Sequence, residues 1–244
     1  MKKQTSGLKK KLCIWVPAVL ILSMVIFCVV YVNDYYCADS SVKTYLQSGE
    51  SVTVTVQDNI VFLDGAGEET ALIFYPGAKV EYTAYVPLFY ALAEQGMDCF
   101  VVKMPGNLAI LGMNKAESIL QEHEYENWYL SGHSLGGAMA ANFAAEAADE
   151  LDGLVLLAAY PTKDLTESGL SVLSIYGSED KVLNAEKLVE GRSLMPEDYT
   201  ELCLEGGNHA WFAYYGEQAG DGVATISREE QQKKTIEAIL DMLQ

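Results

Sequence analysis

From Ala71 to the C-terminus the sequence alternates short apolar runs with longer stretches of helical character, and that alternation leaves few folds open. The runs "ALIFY" (Ala71 to Tyr75), "MDCFVVK", "WYLS", "GLVLLAA", "LSVLSIY" and "YTELCLE" read as strands. Between and after them, "YTAYVPLFYALAEQG", "NKAESILQE", "LGGAMAANFAAEAA", "AEKLVE" and "REEQQKKTIEAILDML" read as helices, the first closed by Gly96. Pro87 is a misfit within that first helix; it either kinks the helix or marks its start near Val86. Strands apolar on both faces that alternate with helices predict a mainly parallel sheet covered on each side. Upstream, "SVTVTVQ" alternates as a half-buried strand does and "IVFL" follows across Asp58-Asn59, which predicts an opening antiparallel hairpin. The expected class is therefore α/β, a mainly parallel central sheet of about eight strands with helices on both faces. In such a sheet a site belongs outside the carboxyl ends of the strands.

The N-terminal end is of another kind. Leu12 to Val32, "LCIWVPAVLILSMVIFCVVYV", is 21 residues without a charge, enough at about 1.5 Å per residue to cross a hydrocarbon core of about 30 Å. A cleaved signal peptide is the competing reading, and Ala38 leaves room for a cut after it. Signal peptides, however, have shorter apolar regions that end in a small-x-small site, which this stretch lacks. Residues 1–32 hold five lysines and no acid, which places the tail 1–11 on the cytoplasmic side and everything after Val32 outside. The expected organisation is a basic tail (1–11), a single transmembrane anchor in the cell membrane (12–32), a juxtamembrane spacer (33–50) and an extracytoplasmic domain (51–244). The rest of the chain carries 16 − 5 = 11 basic against 34 acidic residues, a net charge of −23. That surface repels phosphate backbones, so nucleic acid is not an expected partner. Cys37, Cys99 and Cys203 outside the span form no paired framework, and strand cysteines are more often small core residues.

Chemistry enters between "WYLS" and the alanine-rich helix. Gly132-His133-Ser134-Leu135-Gly136 fits the pattern Gly-x-Ser-x-Gly and lies between a predicted strand and a predicted helix, where that motif needs to be. The serine then occupies a sharp turn, glycine at the flanking positions removes collisions, and the helix beginning at Leu135 aims its free N–H groups at charge developing beside Ser134. The bland alternative is a tight turn with a chance serine; strand, turn and helix in register favour the catalytic reading. The glycines do not have the Gly-x-Gly-x-x-Gly spacing of a dinucleotide site, and no cofactor or metal cluster is expected.

This stretch resembles the nucleophile elbow of the α/β-hydrolase superfamily, a resemblance that runs from about Ser51 to Gln244. With "FYPGAKVEYTAYVPLFYALAEQG" and "GGNHAWFAYYGEQAGDG", "GHSLGG" is similar to the small bacterial alpha/beta hydrolase fold-5 type. A serine alcohol needs a base. Of three histidines, His133 adjoins the serine and is aimed elsewhere, and His123 sits in the charged "QEHEYEN". His209 remains, after the last strand and before the last helix, at the position the resemblance implies for the base; the alternative is a structural histidine beside Trp211 and Phe212. The superfamily order Ser, acid, His is met by Ser134, Asp180 and His209, with Glu179 the runner-up acid and Asp152, Asp164 and Asp198 read as turn or surface residues. Oxyanion donors are expected from the backbone N–H of Leu135 and, in the loop after "ALIFY", of Ala78. Gly77 permits close approach there. Tyr75-Pro76-Gly77-Ala78 departs from the His-Gly of many relatives.

The connection from Tyr160 to Gly169 is 10 residues, too short for the lid domain that many relatives insert there. Gly77, Lys79, Trp211 and Phe212 are the expected substrate-binding residues, with Leu108, Ile110, Leu111, Tyr214 and Tyr215 as further apolar wall or core, and Lys79 and Glu81 as pocket lining or a surface ion pair. The expected activity is a serine hydrolase of carboxylesterase type acting through an acyl-enzyme on a small-molecule ester. A peptidase, lactonase or acyltransferase with the same triad, or a non-catalytic binding module on the same fold, are the alternatives.

Overall fold

The computed structural model describes residues 5–243, which fall into two compact units, one ending at Tyr35 and the other beginning at Tyr36. The first is a single helix, α1 (Thr5–Asn33), whose stretch Trp15–Asn33 has a mean hydropathy of 2.6 and is long and apolar enough to cross a membrane. Its apolar side chains, Trp15, Leu20 and Phe27 among them, are exposed all round. Within it, Ser23 Oγ donates to the Leu20 carbonyl at 2.9 Å, so this hydroxyl is satisfied by the helix itself.

The second unit carries one eight-stranded sheet. Its strands are β1 (Thr53–Val56), β2 (Ile60–Asp64), β3 (Thr70–Tyr75), β4 (Asp98–Val102), β5 (Asn127–His133), β6 (Gly153–Leu157), β7 (Ser171–Gly177) and β8 (Tyr199–Leu204). The order is β1-β2-β4-β3-β5-β6-β7-β8; β1/β2 and β2/β4 are antiparallel and every other neighbour is parallel. The opening hairpin is thus the antiparallel edge that the alternation of "SVTVTVQ" predicts. Around the sheet lie α2 (Val86–Ala93), α3 (Lys115–Glu122), α4 (Leu135–Ala144), α5 (Ala185–Gly191) and α6 (Arg228–Met242).

Both faces of the central strands are dry, and the period-2 geometry of a strand sorts their residues. Leu72 and Phe74 of β3 pack with Leu88, Phe89 and Leu92 of α2 and Ile239 of α6. Ala71, Ile73 and Tyr75 pack with Ile119 of α3 and Met139 and Phe143 of α4. Helices on both sides explain why these strands read as unbroken apolar runs. Pro87 is no kink: Tyr82–Tyr85 is a separate 3₁₀ turn, and Pro87 stands in the first turn of α2, where its missing N–H costs nothing.

The segment read as a spacer is built onto this unit. Tyr36 forms a parallel bridge with Val80, donating to the Lys79 carbonyl at 2.7 Å and accepting from the Glu81 N–H at 2.9 Å. Ser40–Leu46 is a 3₁₀ helix capped by Asp39, with Val42 buried. Its aromatics gave no periodicity because single residues, not a helical face, make the contacts. The connection between β6 and β7 holds no helix among the described residues, so no lid domain is inserted there.

Candidate active site

The carboxyl end of β5 runs straight into α4, and Ser134 is the single residue between them. The backbone there is left-handed, φ 53° and ψ −123°, a region that side chains other than glycine rarely occupy. Three contacts hold it. The Ser134 N–H donates to the Leu157 carbonyl of β6 at 2.9 Å. A Cβ on Gly132 would lie 2.5 Å from the backbone of Gly136 and Gly137. A Cβ on Gly136 would strike the carbonyl oxygens of Tyr75 and Pro76, so this glycine lets α4 start against the loop that follows β3. The motif's glycines are therefore needed by packing, and the serine sits at the N-terminus of a ten-residue helix whose first N–H groups have no intrahelical partner. Ser134 itself is half-buried, and its Oγ makes no hydrogen bond among the described residues.

Asp180 and His209 come together on the neighbouring edge. His209 Nδ1 lies 2.7 Å from Asp180 Oδ2, and both side chains are 2% exposed. A carboxylate only accepts, so Nδ1 carries a proton, and in the neutral ring Nε2 then keeps its lone pair, the tautomer a general base needs. The other oxygen, Asp180 Oδ1, accepts from the N–H groups of Val182 and Leu183, each at 2.8 Å, which fixes the carboxylate's plane. The turn after β7 and the turn after β8 meet because Gly177 has no Cβ to collide with the Gly207 carbonyl. The Glu179 N–H donates to that carbonyl at 2.8 Å, while its side chain makes no contact with His209 among the described residues.

The His209 loop is held from two further sides, by residues that carry no signal in the sequence. Gln231 of α6, fully buried, accepts from the Asn208 N–H at 3.0 Å and donates to the Asn208 carbonyl at 2.8 Å. Asp221 Oδ2 accepts from the Ala210 N–H at 2.9 Å, and its Oδ1 accepts from Lys181 N–H at 3.3 Å, tying the histidine loop to the aspartate loop. In "REEQQKK" a glutamine reads as a solvated face; only the helix's placement over the loop buries it.

His133, set aside in the sequence as pointing away from the serine, is 1% exposed and fully hydrogen-bonded. Its Nδ1 is 2.8 Å from Tyr85 Oη and its Nε2 3.1 Å from the His209 carbonyl; its ring centre is 4.5 Å from that of His209. Burial first, and then the neighbouring His209, push the His133 imidazole well below its ordinary pKa, so it is neutral. His123 lies elsewhere, against Phe62 and Phe100.

Of the expected oxyanion donors, Leu135 N–H opens α4, and Ala78 N–H makes no hydrogen bond among the described residues. Gly77 is buried, its N–H donating to Tyr85 Oη at 3.1 Å. Lys79 has φ 57° and donates its N–H to the Asn107 carbonyl at 2.8 Å, linking this turn to the loop that exposes Ile110 and Leu111. Glu81 does not belong to a pocket wall: its carboxylate accepts from Ala38 N–H and Thr83 Oγ1, each at 2.9 Å. Phe212 is a correction as well. It is fully buried, packed 5.6 Å from the His133 ring, and is core; Tyr215 is nearly as buried, while Trp211 is only half-buried.

The sequence pattern of the Alpha/beta hydrolase family matches residues 71–233, the stretch that holds Tyr85, His133, Ser134, Asp180, His209 and Gln231. The chain belongs to this family. No curated protein matches the hydrolase's sequence. Solved structures share its fold. An alpha/beta hydrolase enzyme from the metagenome of sediments of the Mar Chica lagoon has a TM-score of 0.58 at 15% identity, over 77% of this chain and 98% of its own. Carboxyl esterase 2 from the mycorrhizal fungus Tuber melanosporum has a TM-score of 0.59 at 12% identity, over 85% and 89%. Est1E from Butyrivibrio proteoclasticus has 0.58 at 13%, over 80% and 99%. At these identities the likeness is one of fold.

Proposed function

We propose that this hydrolase is a serine esterase, cleaving a carboxylic ester with Ser134 as nucleophile, His209 as base and Asp180 as its orienting acid. The reading rests above all on the buried Asp180–His209 pair, in which Nδ1 faces the carboxylate and Nε2 is the ring nitrogen left to act as base. His209 Nε2 takes the proton as Ser134 Oγ bonds to the carbonyl carbon, and Asp180 stabilises the imidazolium. The N–H groups of Leu135 and Ala78 receive the oxyanion; the alcohol leaves with the proton from His209, and a water repeats the sequence on the acyl-enzyme. Ser134 Oγ makes no hydrogen bond among the described residues, so this mechanism requires nucleophile and base to close up when substrate binds. Trp211 and the exposed Ile110 and Leu111 supply apolar surface for a small ester. The helix α1 anchors the enzyme in the cell membrane with the domain on the outer side, an orientation argued from the lysines of the tail.

The test is a fluorophosphonate probe on the full chain in detergent. Wild type is expected to take the label at Ser134 and Ser134→Ala to take none. A folded, unlabelled wild type would replace the enzyme with a binding module on the same fold. Turnover of short and long p-nitrophenyl esters, a lactone and a peptide amide then separates esterase from lactonase or peptidase.

A further inference from the structure

The geometry points to Tyr85 and His133 as positioning residues that join the oxyanion turn at Gly77 and Ala78 to the loop carrying His209. The inference rests on the triad reading above and adds two residues to it.

Three hydrogen bonds run in one direction through the core. A carbonyl only accepts, so the contact of His133 Nε2 with the His209 carbonyl requires a proton on Nε2. In the neutral ring Nδ1 is then an acceptor, and Tyr85 Oη must donate to it. With its own proton committed, Tyr85 Oη accepts from the Gly77 N–H. The chain Gly77 N–H to Tyr85 to His133 to His209 C=O therefore has a single allowed polarity. It starts at the residue before one proposed oxyanion donor, passes through the residue before the nucleophile, and ends on the residue proposed as base.

Cost argues that this order is used. Tyr85 is fully buried and His133 1% exposed; a hydroxyl and an imidazole are expensive there unless every polar atom is paired, whereas phenylalanine would fill the same space without that demand. Gly77 closes on the pair, since a Cβ there would lie 2.8 Å from His133 Nδ1 and 2.9 Å from Tyr85 Oη. The turn that offers Ala78 N–H is thus fixed at its start by the Tyr85 side chain of the 3₁₀ turn Tyr82–Tyr85 and on its far side by the Asn107 carbonyl. A donor aimed at an oxyanion contributes only when it is held in place before the reaction.

The test uses full-length Tyr85→Phe, His133→Phe and His133→Gln in detergent, with active sites titrated by the fluorophosphonate so that misfolded protein is not counted. Glutamine keeps one acceptor and one donor and remains neutral. For Tyr85→Phe and His133→Phe, kcat per titrated site on p-nitrophenyl acetate is expected to fall about 10- to 100-fold with KM changed by less than about twofold, the signature of lost positioning. His133→Gln is expected to recover most of that loss. Should His133→Phe not fold, Tyr85→Phe, which deletes one oxygen atom, carries the test alone. Unchanged kcat per site in Tyr85→Phe, or a His133→Gln as slow as His133→Phe, overturns the assignment while leaving the triad standing. A wild type that takes no label at Ser134 overturns both.

Discussion

Gln231 clasps the peptide of Asn208 from both sides, accepting from its N–H at 3.0 Å and donating to its carbonyl at 2.8 Å. The proposed base is the next residue. An α6 side chain thereby stands in for a missing strand neighbour, and the loop after β8 has a fixed backbone without belonging to the sheet. Gln231→Leu leaves the N–H and C=O of a buried peptide without partners, a loss of about 2–4 kcal/mol by the usual cost of orphaned groups. Denaturant unfolding should show that loss, and ester turnover should fall further than the folded fraction does. Full stability in Gln231→Leu would mean water replaces the amide.

Contact with His209 is what favours Asp180 over Glu179 as the proposed acid. Asp180 meets His209 in a buried pair, whereas Glu179, adjacent in sequence, donates its backbone N–H to the Gly207 carbonyl. Asp180→Asn presents a donor where Nδ1–H needs an acceptor and favours the wrong tautomer, so kcat/KM is expected to drop about 10³- to 10⁴-fold. Glu179→Gln should stay within about twofold of wild type, as surface changes away from the reacting groups do. Steady-state kinetics on p-nitrophenyl acetate distinguishes them, and the reverse ranking would move the acid to Glu179.

A buried neutral histidine also sets how stability responds to acid. His133 stays neutral in the folded state, because of burial first and the nearby His209 second, while the unfolded chain takes up a second ring proton there below about pH 6.5. Tyr85, the other titratable group against it, has its hydroxyl pushed up by burial and remains neutral throughout this range. The unfolded state therefore gains protons as pH falls, and stability is lost from about pH 6.5 downward. Glu201 acts in a separate window. Its carboxyl is held down at about 2, chiefly by Arg192 and also by Tyr199 and Tyr176, so its contribution is intact above about pH 4.5 and fades as pH falls towards 2. Urea unfolding between pH 8 and 5 should show a decline that His133→Gln flattens; a wild type level across that range would place a second proton on the native ring.

Much of this was legible because it is local. Apolar runs of strand length, the glycines at 132 and 136, and Pro87 at a helix start each report on their own neighbours in the chain, and the sheet follows from them. The partnership of Tyr85 with His133 spans 48 residues, and nothing in "YTAYVPLFY" distinguishes a tyrosine whose hydroxyl is used from one whose ring merely fills space. Gln231 is hidden in the same way, its burial decided by which loop α6 covers. Phe212 misled in the opposite direction: an aromatic next to the base reads as a wall of the site, and only the position of His133 beneath it shows that the ring faces inward. Tyr36 through Asp39 docks by backbone hydrogen bonds, which any residue type can make.

Strain at Ser134, the proposed nucleophile, gives a last measurable consequence. At φ 53° and ψ −123° the Cβ of Ser134 sits in a backbone region that costs a non-glycine residue about 1–3 kcal/mol. Glycine at this position has no Cβ to strain, though it loses about 0.5–1 kcal/mol of its advantage to the greater freedom of the unfolded chain. Ser134→Gly should therefore be inactive and more stable, by about 1 kcal/mol, which for a domain of this size raises Tm about 2–4 °C. Ser134→Ala keeps the Cβ and the strain, so its Tm should match wild type even though it is equally dead. Thermal melts of the three proteins compare the two effects directly. If alanine stabilises as much as glycine, the gain comes from removing a poorly solvated hydroxyl and the elbow is not strained; if glycine alone stabilises, the chain is holding its nucleophile at the expense of its own stability.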